Sequence, residues 1–178
     1  MMSVLVACAS RYGATKGIAA RIAETLRASG LTVDLVPIED VRRVDAYDAF
    51  VIGSAVYIGS WQKSASEFVR RNRDVLALKP VWLFSSGPLG TNPVDKDGVD
   101  QKVSAQPKEI VEFETAIRPR GDRVFFGAFH REGLGLRDAL IAKMPAGRDL
   151  LPVGDFRDWA DVESWARDIA DQLQPART

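Results

Sequence analysis

The chain has one cysteine, Cys8, and one histidine, His130, in 178 residues. A lone cysteine excludes an internal disulfide and leaves a thiolate metal cluster without partners, which fits a reducing compartment. A lone histidine makes a protein-built zinc site equally hard to assemble. Excess charge of one sign is missing too, with 24 basic against 24 acidic residues. That balance disfavours nucleic acid as a partner. No uninterrupted apolar run approaches the roughly 18 residues that a membrane span requires. Met1–Val6 also lacks the basic start and long apolar stretch of a secretory signal. The expected location is the cytoplasm, and the expected organisation is one domain over residues 1–174 with a short tail at 175–178.

What is present alternates between two periods. Val4–Ala9 is a short apolar run bounded by a turn, as in a strand buried on both faces of a parallel sheet. Ile18, Ile22 and Leu26 then recur every four residues, with Arg21, Glu24 and Arg27 between them and Gly30 as a stop, which predicts a helix from Thr15 to Ser29. Further strands are predicted at Leu31–Val36, Ala49–Gly53, Pro80–Ser85 and Val124–Phe129. The intervening helices are predicted from Trp61 to about Leu76 and from Pro107, whose ring suits a first helical position. Trp159, Val162, Trp165, Ile169 and Leu173 define a last helix. The predicted fold is α/β, a doubly wound five-stranded parallel sheet in a three-layer α/β/α sandwich. The polar stretch from Thr91 to Gln106 is long for an ordinary connection and reads as a lid or a mobile loop near the site.

Ligands in such sheets bind beyond the carboxyl ends of the strands. Three loops fall there. Ser10-Arg11-Tyr12-Gly13-Ala14-Thr15 leads from a strand into a helix N-terminus, where free amides and the helix dipole favour an anion. Ser10 and Thr15 add hydroxyls, and Gly13 allows a tight turn. A plain strand-to-helix turn with a hydroxyl cap is the competing reading. In the second loop, Ser54 to Ser60, the small residues permit close approach to a flat ring, while Tyr57 or Trp61 could stack on it or border it. The third, Ser86-Gly87-Pro88-Leu89-Gly90, could offer backbone donors or be no more than a turn.

Rival phosphate chemistries each lack a residue. Lys16 follows Thr15, but the glycine framework of a Walker A loop is absent, as is a G-x-G-x-x-G fingerprint. A receiver domain needs acidic residues where this chain has Cys8, Ala9 and Ser10. A low-molecular-weight phosphatase needs arginine at position 14, which is Ala14.

The S-x-Y-G-x-T motif at Ser10–Thr15, the segment Val51–Gly59 and the order of elements resemble the flavodoxin-like family. Within it, Ile52-Gly53-Ser54, Gly127-Ala128-Phe129 and Asp158-Trp159 resemble the menaquinone-dependent protoporphyrinogen oxidase branch. The resemblance spans nearly the whole chain and implies a strand order of 2-1-3-4-5. It implies FMN, with its phosphate held by Ser10, Tyr12, Gly13, Ala14 and Thr15 and with Arg11 among the cofactor-binding residues. The ring would be held by Ala55, Val56, Tyr57, Ile58 and Gly59, and by Ser86, Gly87, Pro88, Leu89 and Gly90. The sequence departs from that branch at Arg11-Tyr12 and in residues 131–151, which are shorter and less basic.

Three functions follow as alternatives. The first is an FMN oxidoreductase passing electrons from a porphyrinogen or other reduced small molecule to a quinone. Arg131 or Arg137 would then face propionates, and Leu136, Leu140, Ile141 and Met144 would make at most peripheral membrane contact. The second is a small electron carrier, which is usually steered by a strongly acidic face. Residues 1–90 carry 11 basic and 8 acidic groups, so at least that half has no acidic excess. The third is a non-redox binding module on the same fold. His130, just after the last predicted strand, is a candidate proton donor or acceptor.

Overall fold

The computed structural model describes residues 2–130, Leu140, Lys143 and 152–174. The expectations for Arg131, Arg137, Leu136, Ile141, Met144 and the tail at 175–178 lie outside the described residues. Elements run in the order β1 (Ser3–Ala9), α1 (Ala14–Ala28), β2 (Thr32–Pro37), β3 (Ala49–Tyr57), β4 (Ser60–Trp61), α2 (Lys63–Arg71), α3 (Arg73–Leu76) and β5 (Val81–Ser86). They continue with α4 (Gln101–Ser104), α5 (Glu109–Ile117), β6 (Gly121–Phe125), β7 (Ala128–Phe129), β8 (Gly154–Asp155) and α6 (Trp159–Leu173).

The main sheet has the order β2-β1-β3-β5-β6, with all four pairings parallel. This is the expected 2-1-3-4-5 order once the two-residue β4 is set aside. Successive strand residues point to opposite faces, and each face has its own core. Val4, Val6, Val51, Trp82 and Phe84 lie under α1 and α6, whereas Leu5, Ala7, Phe50, Ile52 and Leu83 lie under α2, α3 and α5. Two buried faces explain why β1, β3 and β5 read as continuous apolar runs. Helix α1 buries Ile18, Ile22 and Leu26 as its periodicity requires. It ends where Gly30, at φ 88°, turns the chain back and the Leu31 amide reaches the Leu26 carbonyl at 3.2 Å.

Three sequence boundaries are corrected. The strand read at Ala49–Gly53 continues to Tyr57 and folds back through β4, so Trp61 is strand rather than helix. The helix read from Trp61 to Leu76 opens at Lys63 and is interrupted at Asn72, whose side-chain amide donates to the Phe68 carbonyl at 2.8 Å. The strand read at Val124–Phe129 is two strands. β6 begins at Gly121 and leaves the sheet after Phe125, because the Gly127 amide turns to the Pro88 carbonyl at 2.9 Å. Ala128 and Phe129 then pair antiparallel with Asp155 and Gly154 in a separate small sheet.

The polar stretch 91–106 is folded rather than bare. Asp100 caps α4, and Lys102 Nζ meets Asp161 Oδ2 at 2.7 Å while Arg123 donates to the other Asp161 oxygen. Burial opposes ionisation of Asp161, but the two hydrogen bonds and the adjacent charges outweigh it and lower its pKa. The Asp161 side chain is only 13 % exposed, so the contact is worth more than a solvated ion pair. Asp161→Asn is expected to cost about 1 kcal/mol at neutral pH. A folded-state pKa below the unfolded value of 3.8 stabilises the fold above that value. The advantage of wild type over the variant should therefore fade as pH falls below it, through the depressed folded value. Urea unfolding of both proteins at neutral and acid pH measures this; a difference that grows on acidification would contradict it.

Candidate functional site

The carboxyl ends of β1, β3 and β5 open into a cavity of about 520 Å³. Its lining brings together eleven of the residues anticipated from sequence: Ser10, Arg11, Tyr12, Ala14 and Thr15 from the first loop, Ala55, Val56 and Tyr57 from the second, and Ser86, Gly87 and Leu89 from the third. Gly13, Ile58, Gly59, Pro88, Gly90 and His130 are not among the lining residues. Gly13, Gly59 and Gly90 instead set the loop backbones, with φ of 87°, 70° and 102°. Ile58, at φ 50°, forms the hairpin tip with Gly59 and is almost fully exposed. Pro88 gives its carbonyl to Gly127. His130 is exposed, directly after β7.

The first loop leaves backbone donors unclaimed at a helix start. Gly13 stands at the helix N-cap, so no side chain caps α1. The first helical bond is Gly17 N to Gly13 O at 3.0 Å, which leaves the amides of Ala14, Thr15 and Lys16 ahead of any helical acceptor. Ser10 Oγ accepts from the Gly13 amide at 3.1 Å, fixing the turn and leaving its own hydroxyl hydrogen free to donate elsewhere. Thr15 is 1 % exposed, and its hydroxyl makes no hydrogen bond among the described residues. No side-chain polar atom among the described residues is both sealed from solvent and unpartnered, so what remains accessible of Thr15 includes its hydroxyl, and a ligand in the cavity can reach it.

The second wall is a fixed hairpin. Trp61 Nε1 donates to Ser85 Oγ at 2.8 Å, its backbone amide donates to the buried Glu109 at 3.2 Å, and its ring lies 5.4 Å from that of Phe113. The Lys108 amide holds the Gly59 carbonyl at 3.1 Å. Trp61 is therefore wall, whereas Tyr57 is more than two-fifths exposed at the rim, with the Arg11 guanidinium 5.6 Å from its ring centre and 5.4 Å from that of Tyr12. In the third loop the Gly87 amide is engaged by the Phe125 carbonyl at 3.1 Å, so this one of its expected donors is turned to β6.

Gln62, Lys63, Gly127, Ala128 and Phe129 line the cavity without having been anticipated there. Gly127–Phe129 read as strand interior, and only the glycine hinted at a break. Among the described residues, Arg11 and Lys63 are the charged residues of the lining. Cys8, at the end of β1, is pushed up to about 11 chiefly by burial, with Glu39 adding to the rise and Lys16 opposing it. Its thiol stays protonated at neutral pH and is no nucleophile. Among the described residues no group of three or more metal-ligating side chains converges, and no helix is long and apolar enough to cross a membrane. None of residues 91–106 lines the cavity.

This architecture has known relatives. The chain is 26 % identical to protoporphyrinogen IX dehydrogenase [quinone] of Escherichia coli K12, over 95 % of each chain. A flavodoxin from the domain Archaea superposes with a TM-score of 0.58 at 15 % identity, covering 97 % of this chain and 99 % of its own. Rubredoxin oxygen:oxidoreductase of Desulfovibrio gigas gives a TM-score of 0.59 at 14 % identity, and this chain spans 36 % of that longer protein. A family model for the flavodoxin domain matches residues 5–146. Sheet order, cavity position and this match agree: the chain belongs to the flavodoxin domain family.

Proposed function

We propose that the protein is an FMN-dependent oxidoreductase that takes electrons from a reduced small molecule of the porphyrinogen type and delivers them to a quinone. The observation that carries the cofactor is the uncapped turn at Gly13, with Ser10 and Thr15 lining the cavity on either side of it. A phosphate monoester fits that donor set, which offers successive amides and two hydroxyls. On this reading Ser10, Arg11, Tyr12, Gly13, Ala14 and Thr15 hold the phosphate. Ala55, Val56, Tyr57, Ile58 and Gly59 border one side of the ring system, and Ser86, Gly87, Pro88, Leu89 and Gly90 border the other.

When bound, FMN supplies the electron and hydride chemistry, and the protein orients it and limits access. Ala55 and Gly87 keep the cavity open because they carry little side chain. Lys63 and Arg11 place two cationic side chains in the described lining, which favours anionic partners. No step of this reading requires His130. The substrate class rests on the 26 % identity to the quinone-linked dehydrogenase along nearly the full length of both chains. The reading places the protein in the cytoplasm, with at most peripheral membrane contact.

A carrier without its own substrate is the second reading, favoured by how fully the chain covers the archaeal flavodoxin. The deciding experiment begins with the visible spectrum of the purified protein and identification of any released flavin. Anaerobic mixing with protoporphyrinogen IX and a menaquinone analogue follows. Turnover above spontaneous oxidation supports the enzyme. A yellow protein without turnover counts against the porphyrinogen substrate and supports the carrier, and a colourless one that takes up no FMN supports neither.

A further inference from the structure

We propose that Arg157 is a positioning residue for the phosphate-binding turn, holding the peptide between Ala14 and Thr15 from outside the cavity; the proposal rests on the FMN reading. Arg157 follows β8, far in sequence from α1, yet its Nη1 donates to the Ala14 carbonyl at 3.3 Å. That carbonyl and the Thr15 N–H belong to one planar peptide unit. A donor on the oxygen fixes the plane that aims the Thr15 amide and polarises the amide toward a stronger donor.

The arginine is itself held. Asp155 accepts from the Arg157 backbone amide at 3.1 Å and from Nε at 2.8 Å, and its second oxygen accepts from Nη2. This pairing keeps the Asp155 carboxyl below its ordinary range, with a smaller contribution from the charge of His130. The guanidinium lies 4.6 Å from the Trp159 ring centre, and Arg21 lies 4.9 Å from the same ring. The Arg157 side chain is only 15 % exposed. The Phe156 amide also bonds the Gly127 carbonyl at 3.0 Å, so one short segment braces both the cavity wall and the first turn of α1.

Gly17 is the sequence mark of this contact. A Cβ there would stand 2.4 Å from Arg157 Nη1. Glycine in a helix interior is otherwise unfavourable, and alanine is the best helix former. Gly17→Ala therefore strengthens the helix locally while displacing the arginine tip from Ala14, with every charge retained.

The test is titration of the flavin-free full-length protein with FMN and with riboflavin, which lacks the phosphate, followed by flavin fluorescence. Gly17→Ala is expected to weaken FMN binding about fivefold or more and to leave riboflavin binding and the melting temperature of the flavin-free protein essentially unchanged. Arg157→Ala should give the same phosphate-specific loss, and Arg157→Lys a smaller one. Equal effects on both flavins, or none, in folded Gly17→Ala and Arg157→Ala would overturn the proposal alone. A wild-type protein that binds neither flavin would overturn the cofactor reading and this proposal with it.

Discussion

Gly53→Ala is expected to destabilise the protein by about 2–3 kcal/mol, a large cost for one methyl group. Gly53 lies inside β3, in register with Cys8 on one side and Phe84 on the other. The Phe84 ring leans over it so closely that a Cβ would stand 2.2 Å from two ring carbons. Such a clash is mild when a flexible tip can swing into open space, but this ring cannot. Phe84 is fully buried, and its ring centre is 6.4 Å from those of both Phe125 and Trp165, which contact each other edge to face at 5.6 Å. Moving Phe84 disturbs that trio and the α6 face above it. Urea unfolding of Gly53→Ala, Phe84→Ala and the double variant measures the coupling. Phe84→Ala alone should cost about 3–5 kcal/mol. The double variant should cost clearly less than the two singles together, since the added methyl enters space the ring has left. Strict additivity would show that the ring does not occupy the space above Gly53.

The same glycine illustrates what was legible in the chain and what was not. Val51-Ile52-Gly53 marked a buried strand correctly, but the glycine looked like its end because nothing nearby in sequence announces an aromatic ring from the neighbouring strand. The strand continues to Tyr57 and turns at Ile58-Gly59, where only the glycine carries a turn signal and the isoleucine is held at positive φ by the hairpin. β6 was missed at its start for a different reason. It is an edge strand, and Gly121-Asp122-Arg123 has the polar composition of a half-exposed edge rather than a buried run. The first loop was readable because its geometry is local, with strand, glycine turn and helix in sequence. The cavity wall at Gly127–Phe129 was not, because it is set by hydrogen bonds to Pro88 and Phe156 that no periodicity encodes. Arg157 and Ala14 are separated by 143 positions, so only the fold reveals their pairing.

The second large effect concerns the loop proposed to hold the phosphate. Replacing Ser10 with alanine and Thr15 with valine together is expected to weaken FMN binding by roughly 100-fold or more, because hydrogen bonds to a charged group are each worth about 1.5–3 kcal/mol. The two residues act differently. Ser10 Oγ also braces the turn by accepting from the Gly13 amide, so its loss loosens the loop even without ligand. The Thr15 hydroxyl makes no hydrogen bond among the described residues and lines the cavity. Valine keeps its shape and branching while removing the hydroxyl, so Thr15→Val should lower FMN affinity with little change in the stability of the flavin-free protein. Affinity for riboflavin should change little in either variant, since the contacts removed face the phosphate. Titration of the two flavins against flavin-free wild type and the single and double variants separates these contributions. If Thr15→Val lost affinity for riboflavin as strongly as for FMN, the hydroxyl would be facing the ring system rather than the phosphate, and the cofactor would lie across the cavity in the opposite sense.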